Sequence, residues 1–198
     1  MKHVIRACIQ DALTARFAHA LAAPDPLAEL IEEPCPGVFI LKKVFYPEFC
    51  EALLAETEQH KAIAPNTMNK YGVVLKDIGL GGLCEQLLKT LVNPLARRFY
   101  PHGERLRKYH GFIVNYAPNK QPNLDVHTDD SDVTLNICLG RKFTGGRLVL
   151  QDEEGIQAKI DHEIGQAVIH LGSQLHQAQN IRTGTRSNLI LWCSTGRG

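Results

Sequence analysis

The second half of the chain is a succession of short segments in which apolar and polar residues alternate. Turn-forming residues mark the ends of these segments. Alternation with a period of two is typical of strands with one buried face, and Gly145-Gly146, Gly155 and Gly184 mark the corners between them. Many short strands at this spacing predict a β-sandwich or a jelly roll. The predicted strands span residues 109–116, 133–139, 147–151, 157–160, 166–171 and 187–193.

The first half of the chain carries helical patterns instead. Apolar residues recur at helical spacing over residues 4–21 and stop at Pro24-Asp25-Pro26. A further helix is predicted from Pro47 to residue 61, because proline is favoured at the first helical position, and another from about residue 80 to 100. A short strand is predicted at 38–41. We therefore expect an α+β fold that is mainly β.

The length of 198 residues suits one principal domain, which we place at residues 37–198. Residues 1–36 form a predicted N-terminal helical extension, and Pro34-Cys35-Pro36-Gly37 marks the boundary between the two. We expect the opening helix to pack on the outside of the main domain. The alternative is that this helix binds a partner or a second copy of the chain.

The charge and the cysteine content limit which partners and which cellular compartment we expect. The chain has 22 basic and 21 acidic residues, so its net charge of +1 gives no field that would attract nucleic acid or a membrane surface. The six cysteines show no CxxC spacing and predict no disulfides. The opening residues lack the pattern of a signal peptide or a membrane span, so we expect an intracellular, reducing location. The sequence does not indicate an oligomeric state.

A candidate metal site begins at His127-Thr128-Asp129. Residues two apart on an extended segment project to one face, so the imidazole and the carboxylate can reach the same ion. With nine histidines in the chain, such a pair also arises by chance, and His102-Gly103-Glu104 is a second example. We interpret that second triplet as a solvated turn, because it follows a proline and no strand pattern comes after it.

The second histidine ligand is either His170 or His176, and Arg186 favours the latter. A glycine-threonine turn between His176 and Arg186 can fold the chain back and bring the guanidinium onto a neighbouring strand. His170 is then a hydrogen-bonded residue of the interior, and Arg182 is solvated. Two histidines and one carboxylate leave part of the coordination sphere open, which suits Fe(II) in oxygenases, and a guanidinium suits a carboxylate-bearing co-substrate.

Several of these motifs resemble the 2-oxoglutarate- and Fe(II)-dependent dioxygenases of the prolyl and lysyl hydroxylase type. The segment from Tyr116 to His127 resembles the one that joins a co-substrate tyrosine to the first iron ligand in procollagen lysyl hydroxylases, and Gly184-Thr185-Arg186 matches their anchor. A nearer resemblance is to the 2-oxoglutarate and iron-dependent oxygenase domain-containing protein 2 family. It covers about residues 37–194 and is carried by Asn69-Lys70-Tyr71-Gly72, Phe143-Thr144-Gly145-Gly146 and Asn188-Leu189-Ile190-Leu191-Trp192.

The resemblance implies a double-stranded β-helix, also called a jelly roll, with covering helices on one side. It implies that His127, Asp129 and His176 bind Fe(II), and that Arg186 and Tyr116 bind the far carboxylate of 2-oxoglutarate. Asn136 and Trp192 are expected to line the pocket or to be ordinary core residues. The position two residues after the arginine, often serine in the family, is Asn188 here.

The implied reaction couples oxidative decarboxylation of 2-oxoglutarate, giving succinate and CO2, to hydroxylation of a substrate C–H bond by O2. Ascorbate is the expected reductant, and the substrate is a protein side chain or a small molecule. A catalytically silent jelly-roll module that binds metal for structure or sensing is the alternative, and a cupin-type isomerase or hydrolase is a third hypothesis. The amide-rich loop at residues 65–72 is either a roof over the site or a simple connector.

Overall fold

A computed structural model of the chain describes residues 12–22, 29–60, 72–100 and 105–196. Two β-sheets dominate it. The larger sheet has seven strands, in the spatial order β1-β2-β10-β6-β13-β4-β3. Its strands are β1 (Ile31–Cys35), β2 (Val38–Leu41), β3 (Val73–Val74), β4 (Lys108–Tyr116), β6 (Val133–Gly140), β10 (Ala167–Leu171) and β13 (Arg186–Ser194).

A smaller sheet of four strands lies over one face of the larger sheet, in the order β5-β11-β8-β9. Adjacent strands are antiparallel in both sheets. A separate pair of antiparallel strands joins β7 to β12. The strands of the smaller sheet and of this pair are β5 (Leu124–His127), β7 (Phe143–Gly145), β8 (Leu148–Gln151), β9 (Gln157–Ile160), β11 (Leu175–Ala178) and β12 (Ile181–Gly184).

Helices cover the opposite face of the larger sheet. They are α1 (Ala15–Ala22), α2 (Pro47–Glu58), α3 (Gly81–Leu87) and α4 (Asn93–Phe99), with a short 3-10 turn at Lys76–Ile78 and a π-helical turn at Leu88–Val92. The π-helical turn joins α3 to α4. Pro94 has no backbone N–H to donate to Thr90, so the regular helical hydrogen bond is missing directly after the π-helical turn.

Strand β6 shows that the two faces of the larger sheet have different surroundings. Every residue of β6 is buried, because helices cover one face and the smaller sheet covers the other. Leu135, Ile137 and Leu139 join the apolar core that includes the helices. The alternate residues Thr134 and Asn136 are also buried, and they face the space between the two sheets. A period of two thus separates a structural face from a polar face.

The predicted fold class is confirmed: the chain is mainly β, with antiparallel sheets in a jelly roll and helices on one side. All six predicted strands of the second half are present, with bounds shifted by one residue or less, and the short strand at Val38–Leu41 is present as predicted. The helix predicted over residues 80–100 is one helical run interrupted by the π-helical turn. The helix that begins at Pro47 ends at Glu58, three residues earlier than expected.

The N-terminal part of the described chain packs closely on the rest. Phe17 of α1 is fully buried in the helix-covered core, and Leu13 forms an isolated bridge with Phe45. β1 and β2 form a hairpin whose turn contains the predicted boundary at residues 36 and 37. The division into an extension at 1–36 and a domain at 37–198 stays a prediction.

Several sequence predictions fall outside the described residues. These are the opening part of the first helix at residues 1–11, His102 and its turn, and residues 65–71 of the amide-rich loop. Within the described ranges, no helix combines the length and the apolar character needed to cross a membrane. Cysteines 35, 50, 84, 138 and 193 are all buried and free.

Candidate metal and co-substrate site

Two strands of the smaller sheet carry the two candidate histidine ligands. His127 is the last residue of β5, and His176 lies on the adjacent strand β11, directly opposite His127 in the antiparallel register. Asp129 follows β5 by two residues, and its backbone N–H donates to the carbonyl of Gly172 at 2.9 Å. This hydrogen bond fixes the segment beyond the strand end, so three polar side chains converge at one place.

The three side chains present their donor atoms to a common point. Oδ1 of Asp129 lies 3.7 Å from Nε2 of His127 and 3.5 Å from Nε2 of His176. One ligand atom from each of the three residues lies within 4.8 Å of the others, and the imidazole centroids are 4.2 Å apart. Atoms at these separations can bind a single ion at ordinary metal–ligand distances of about 2.0–2.2 Å.

Backbone carbonyls fix the orientation of both imidazoles. Nδ1 of His127 lies 2.7 Å from the carbonyl of Asp125, and Nδ1 of His176 lies 3.0 Å from the carbonyl of Gln174. A carbonyl only accepts hydrogen bonds, so each Nδ1 carries the proton and each Nε2 lone pair faces the common point. Burial, and then the nearby His176, lower the pKa of His127, which favours the neutral ligating form. This donor set fits a ferrous ion.

Thr134 holds the other oxygen of the Asp129 carboxylate. The Thr134 hydroxyl donates to Oδ2 of Asp129 at 2.6 Å, and Ser131 lies 2.8 Å from the same hydroxyl oxygen. Burial raises the pKa of Asp129, but the neighbouring His176 and the Thr134 hydrogen bond outweigh it and leave that pKa below its usual value. The carboxylate is therefore ionised, with Oδ1 facing the histidines. Sequence reasoning gave Thr134 no role of its own.

His170 lies beside this group without joining it. Its side chain is fully buried, and its Nδ1 lies 2.8 Å from the carbonyl of Leu171. Its Nε2 is 4.0 Å from Oδ2 of Asp129, beyond hydrogen-bonding distance. Burial, and then the nearby His176, lower its pKa to about 4. His170 is thus a neutral, hydrogen-bonded interior residue, as expected. Arg182 is exposed, also as expected.

A buried guanidinium lies on the larger sheet, across from the histidines. Arg186, the first residue of β13, is 1% exposed and pairs in register with Tyr116 at the end of β4. Its guanidinium carbon lies 4.6 Å from the centre of the Tyr116 ring, and its Nη1 donates to the carbonyl of Gly146. Its Nε makes no hydrogen bond within the described residues. Burial lowers the pKa of Arg186, but an arginine remains protonated in proteins. No carboxylate among the residues that the structure describes pairs with this buried cation, which therefore suits an anionic ligand.

One pocket between the two sheets contains every candidate residue. His127, Asp129 and His176 line one side of it, and Tyr116 and Arg186 line the other. Most of the remaining lining residues are apolar and limit the access of water to the polar groups. The remaining lining residues are Phe112, Val114, Leu124, Thr134, Asn136, Leu148, Ala178, Ile190 and Trp192.

Asn136 and Trp192 both reach this pocket. Asn136 is 7% exposed and accepts a hydrogen bond from Nδ2 of Asn188 at 2.6 Å. The indole of Trp192 packs edge-on against Phe112, with ring centroids 5.1 Å apart. His162 and Asn188, which sequence reasoning did not place near the pocket, lie behind Asn136. Only the alternation along β13, which puts Asn188 on the same face as Arg186, signalled the position of Asn188.

Comparison with known proteins identifies relatives along most of the chain. Residues 2–104 match the family model of the OGFOD2-like domain, which is 103 of the 198 residues. The match includes residues 2–36, which the resemblance drawn from the motifs left outside. "2-oxoglutarate and iron-dependent oxygenase domain-containing protein CP2" of Arabidopsis thaliana is 38% identical over 186 aligned positions, and the match covers 83% of this chain and 47% of that protein.

A human relative and a solved structure extend the comparison. "2-oxoglutarate and iron-dependent oxygenase domain-containing protein 2" of Homo sapiens is 39% identical over 163 residues, covering 75% of this chain and 47% of that protein. The chain thus spans about half the length of these relatives. A prolyl hydroxylase structure from Trichoplax adhaerens shares the fold, with a TM-score of 0.60, 13% identity, and coverage of 90% of this chain and 87% of that one. The chain therefore belongs to the OGFOD2-like family of 2-oxoglutarate and iron-dependent oxygenase domain proteins.

Proposed function

We propose that this chain is a 2-oxoglutarate-dependent dioxygenase. The overall reaction converts 2-oxoglutarate, O2 and a substrate C–H bond into succinate, CO2 and a hydroxylated substrate. The observation that carries the proposal is the convergence of His127, Asp129 and His176 in the same pocket as the buried Arg186. The names of the relatives, which specify 2-oxoglutarate and iron, support it.

In this proposal one group of polar side chains binds the metal and a second group binds 2-oxoglutarate. Nε2 of His127, Nε2 of His176 and Oδ1 of Asp129 hold Fe(II) on one side of the pocket. Arg186 and the Tyr116 hydroxyl hold the far carboxylate of 2-oxoglutarate on the other side. Burial raises the pKa of Tyr116, so its hydroxyl stays protonated and donates a hydrogen bond to that carboxylate. When bound, the iron supplies the positions at which the 2-oxo acid and O2 react.

The chain's own residues contribute to catalysis by holding the reactants in position and by excluding water from the pocket. The pocket is fixed by sheet registers, so its ligands do not have to reorganise when the reactants bind. Phe112, Leu148 and Ile190 supply apolar walls that strengthen the ionic contacts of Arg186. Asn136 and Trp192 line the remaining space, where we propose that they contact the co-substrate. Ascorbate, as a reductant that keeps iron ferrous, belongs to the proposal.

We propose a protein side chain as the substrate, with a small molecule as the alternative. The motifs resemble prolyl and lysyl hydroxylases, and the structural neighbour from Trichoplax adhaerens is a prolyl hydroxylase in complex with a peptide fragment. β5, which carries His127, is also an edge strand of the smaller sheet, and Val126 on it is 57% exposed. An extended peptide can approach such an edge beside the pocket.

We also propose an intracellular location for the reaction. The described cysteines are free, and Fe(II) persists only where reductants keep it from oxidation. Cell fractionation with an antibody against the chain tests this location.

Succinate formation is the direct test of the proposed activity. The chain is incubated in air with Fe(II), 2-oxoglutarate and ascorbate, with and without cell lysate, and succinate is measured by nuclear magnetic resonance. We expect succinate from the wild-type chain and from His19→Ala, which changes an exposed histidine. His176→Ala should form none. A folded, iron-loaded chain that forms no succinate under any condition would instead be a silent metal-binding module. Proteins in the lysate are then searched by mass spectrometry for an added oxygen atom.

A further inference from the structure

A short chain of buried polar side chains lies behind the co-substrate pocket. Nδ2 of Asn188 is 2.6 Å from Oδ1 of Asn136 and 3.1 Å from Nδ1 of His162. Asn188 is 1% exposed and His162 is 4% exposed. His162 comes from the turn between β9 and β10, so these hydrogen-bonded side chains connect that turn to the floor of the pocket.

The hydrogen-bonding capacity of these groups sets their orientation. The Asn188 amide nitrogen has two hydrogens, and one is donated to Asn136 while the other is donated to His162. His162 must therefore accept at Nδ1, which requires the neutral ring. Burial, and then the charge of Arg186, lower the pKa of His162 to about 3, so the ring is neutral at physiological pH.

These hydrogen bonds determine the orientation of the Asn136 amide, which lies at the pocket end of the series of side chains. Its carbonyl oxygen is occupied by Asn188, so its amide nitrogen is left as the group that faces the pocket. That nitrogen makes no hydrogen bond within the described ranges. Two amide hydrogens are thus available in the same pocket as the cation of Arg186, and this pocket suits an anion.

We propose that Asn188 and His162 are positioning residues that hold Asn136 with its amide N–H groups toward a bound 2-oxo acid. The proposal rests on the proposed function, because it assumes that 2-oxoglutarate binds in this pocket. It assigns a role to Asn188, which stands where serine is often found in dioxygenases of the prolyl and lysyl hydroxylase type. A serine hydroxyl is shorter and has a single hydrogen, so it cannot donate to both neighbours at once.

Binding of 2-oxoglutarate to the Mn(II)-loaded chain, measured by isothermal titration calorimetry, tests the proposal without turnover. We expect Asn188→Ser to weaken 2-oxoglutarate binding by about 10-fold, the usual effect of one misplaced hydrogen bond to a charged group. Asn136→Asp retains an acceptor for Asn188 but turns a carboxylate oxygen toward the anion, so it should weaken binding by about 100-fold or more. Mn(II) affinity, measured in the same way, should be unchanged in Asn188→Ser.

Two variants of His162 separate positioning from packing. His162→Gln keeps an acceptor for the Asn188 amide, whereas His162→Leu removes it while filling similar space. We expect 2-oxoglutarate affinity to be lowered more by the leucine than by the glutamine. In turnover assays the KM for 2-oxoglutarate should rise while kcat changes little.

Asn93→Ser is the matched control, since Asn93 is also a buried amide but bonds the backbone of Leu106 outside the pocket. It should lower the melting temperature without changing 2-oxoglutarate affinity. Wild-type affinity in Asn188→Ser and in His162→Leu would overturn the positioning proposal. Failure of the wild-type chain itself to bind 2-oxoglutarate would overturn the proposed function instead, so the two failures are distinguishable.

Discussion

His127 and His176 lie directly opposite each other on the adjacent antiparallel strands β5 and β11. The register of these two strands therefore sets the distance between the two imidazoles. A slip of one residue would turn His127 to the opposite face of the sheet, away from the pocket. The candidate metal site is thus a property of strand pairing, and changes that loosen β5 should affect metal binding before they affect the core.

Metal binding should stabilise the chain through His176. At a Mn(II) concentration 100 times the dissociation constant, binding to the folded state adds about 2.7 kcal/mol to the free energy of unfolding. This should raise the melting temperature by about 5–10 °C in a domain of this size. His176→Ala should abolish the increase, and His19→Ala should keep it. An unchanged increase in His176→Ala would place the ion elsewhere.

Loss of the Thr134 hydroxyl should weaken metal binding without unfolding the chain. Thr134→Val keeps the shape of the side chain but removes the hydrogen bond that holds Oδ2 of Asp129. Changes of this kind next to metal ligands cost about 10- to 100-fold in affinity. Thr144→Val, which removes an exposed hydroxyl pair with Thr183, is the control. Equal Mn(II) affinities in the two variants would show that Thr134 does not position the carboxylate.

Arg186→Lys should reduce the affinity for 2-oxoglutarate by about 10- to 100-fold. Lysine keeps the charge but loses the planar pair of donors that matches a carboxylate. Loss of one or two charge-assisted hydrogen bonds costs about 1.5–3 kcal/mol. Arg182→Lys changes an exposed arginine nearby and should leave the affinity unchanged. Calorimetry on the Mn(II)-loaded variants gives the result, and similar losses in both would argue against a specific anchor.

The stability of the metal-free chain should fall as the pH drops below about 6.5. His162 has its pKa lowered to about 3 in the folded chain, from an ordinary value of 6.5. Between these values the unfolded chain binds a proton that the folded chain does not, so acidification favours unfolding. The group contributes up to about 1.4 kcal/mol per pH unit.

Urea unfolding between pH 6.5 and 5, with a chelator present, measures this slope. His162→Gln should be less stable overall but should show a shallower dependence on pH, by about one proton. His19→Gln, at an exposed histidine, should keep the wild-type slope. A slope in His162→Gln that equals the wild-type slope would mean that His162 does not resist protonation.

Local sequence patterns predicted the parts of the fold that local chemistry controls. The alternation of Leu135, Ile137 and Leu139 with polar residues marked β6, because one face of that strand packs on helices. β7 and β12 were not predicted. They are short, polar and rich in glycine, and they form only because distant segments pair with each other.

The residues of the candidate site likewise fall into those that the sequence could identify and those that depend on contacts between distant segments. His127-Thr128-Asp129 could be found from its spacing, and His176 from its relation to Arg186. The structure brings these residues and Tyr116 into one pocket. His162 could not have been found in this way, because it lies in a turn without a periodic pattern. Its contact with Asn188 depends on the packing of β13 against β6 and on the turn before β10.

We predict that one pocket binds a divalent metal and 2-oxoglutarate together. Calorimetric titration of 2-oxoglutarate into the chain, with and without Mn(II), tests it most directly. We predict that binding is strong with Mn(II), is lost when the metal is removed by a chelator, and is lost in His176→Ala. Binding of 2-oxoglutarate that is equally strong without metal, or in His176→Ala, would contradict the shared site.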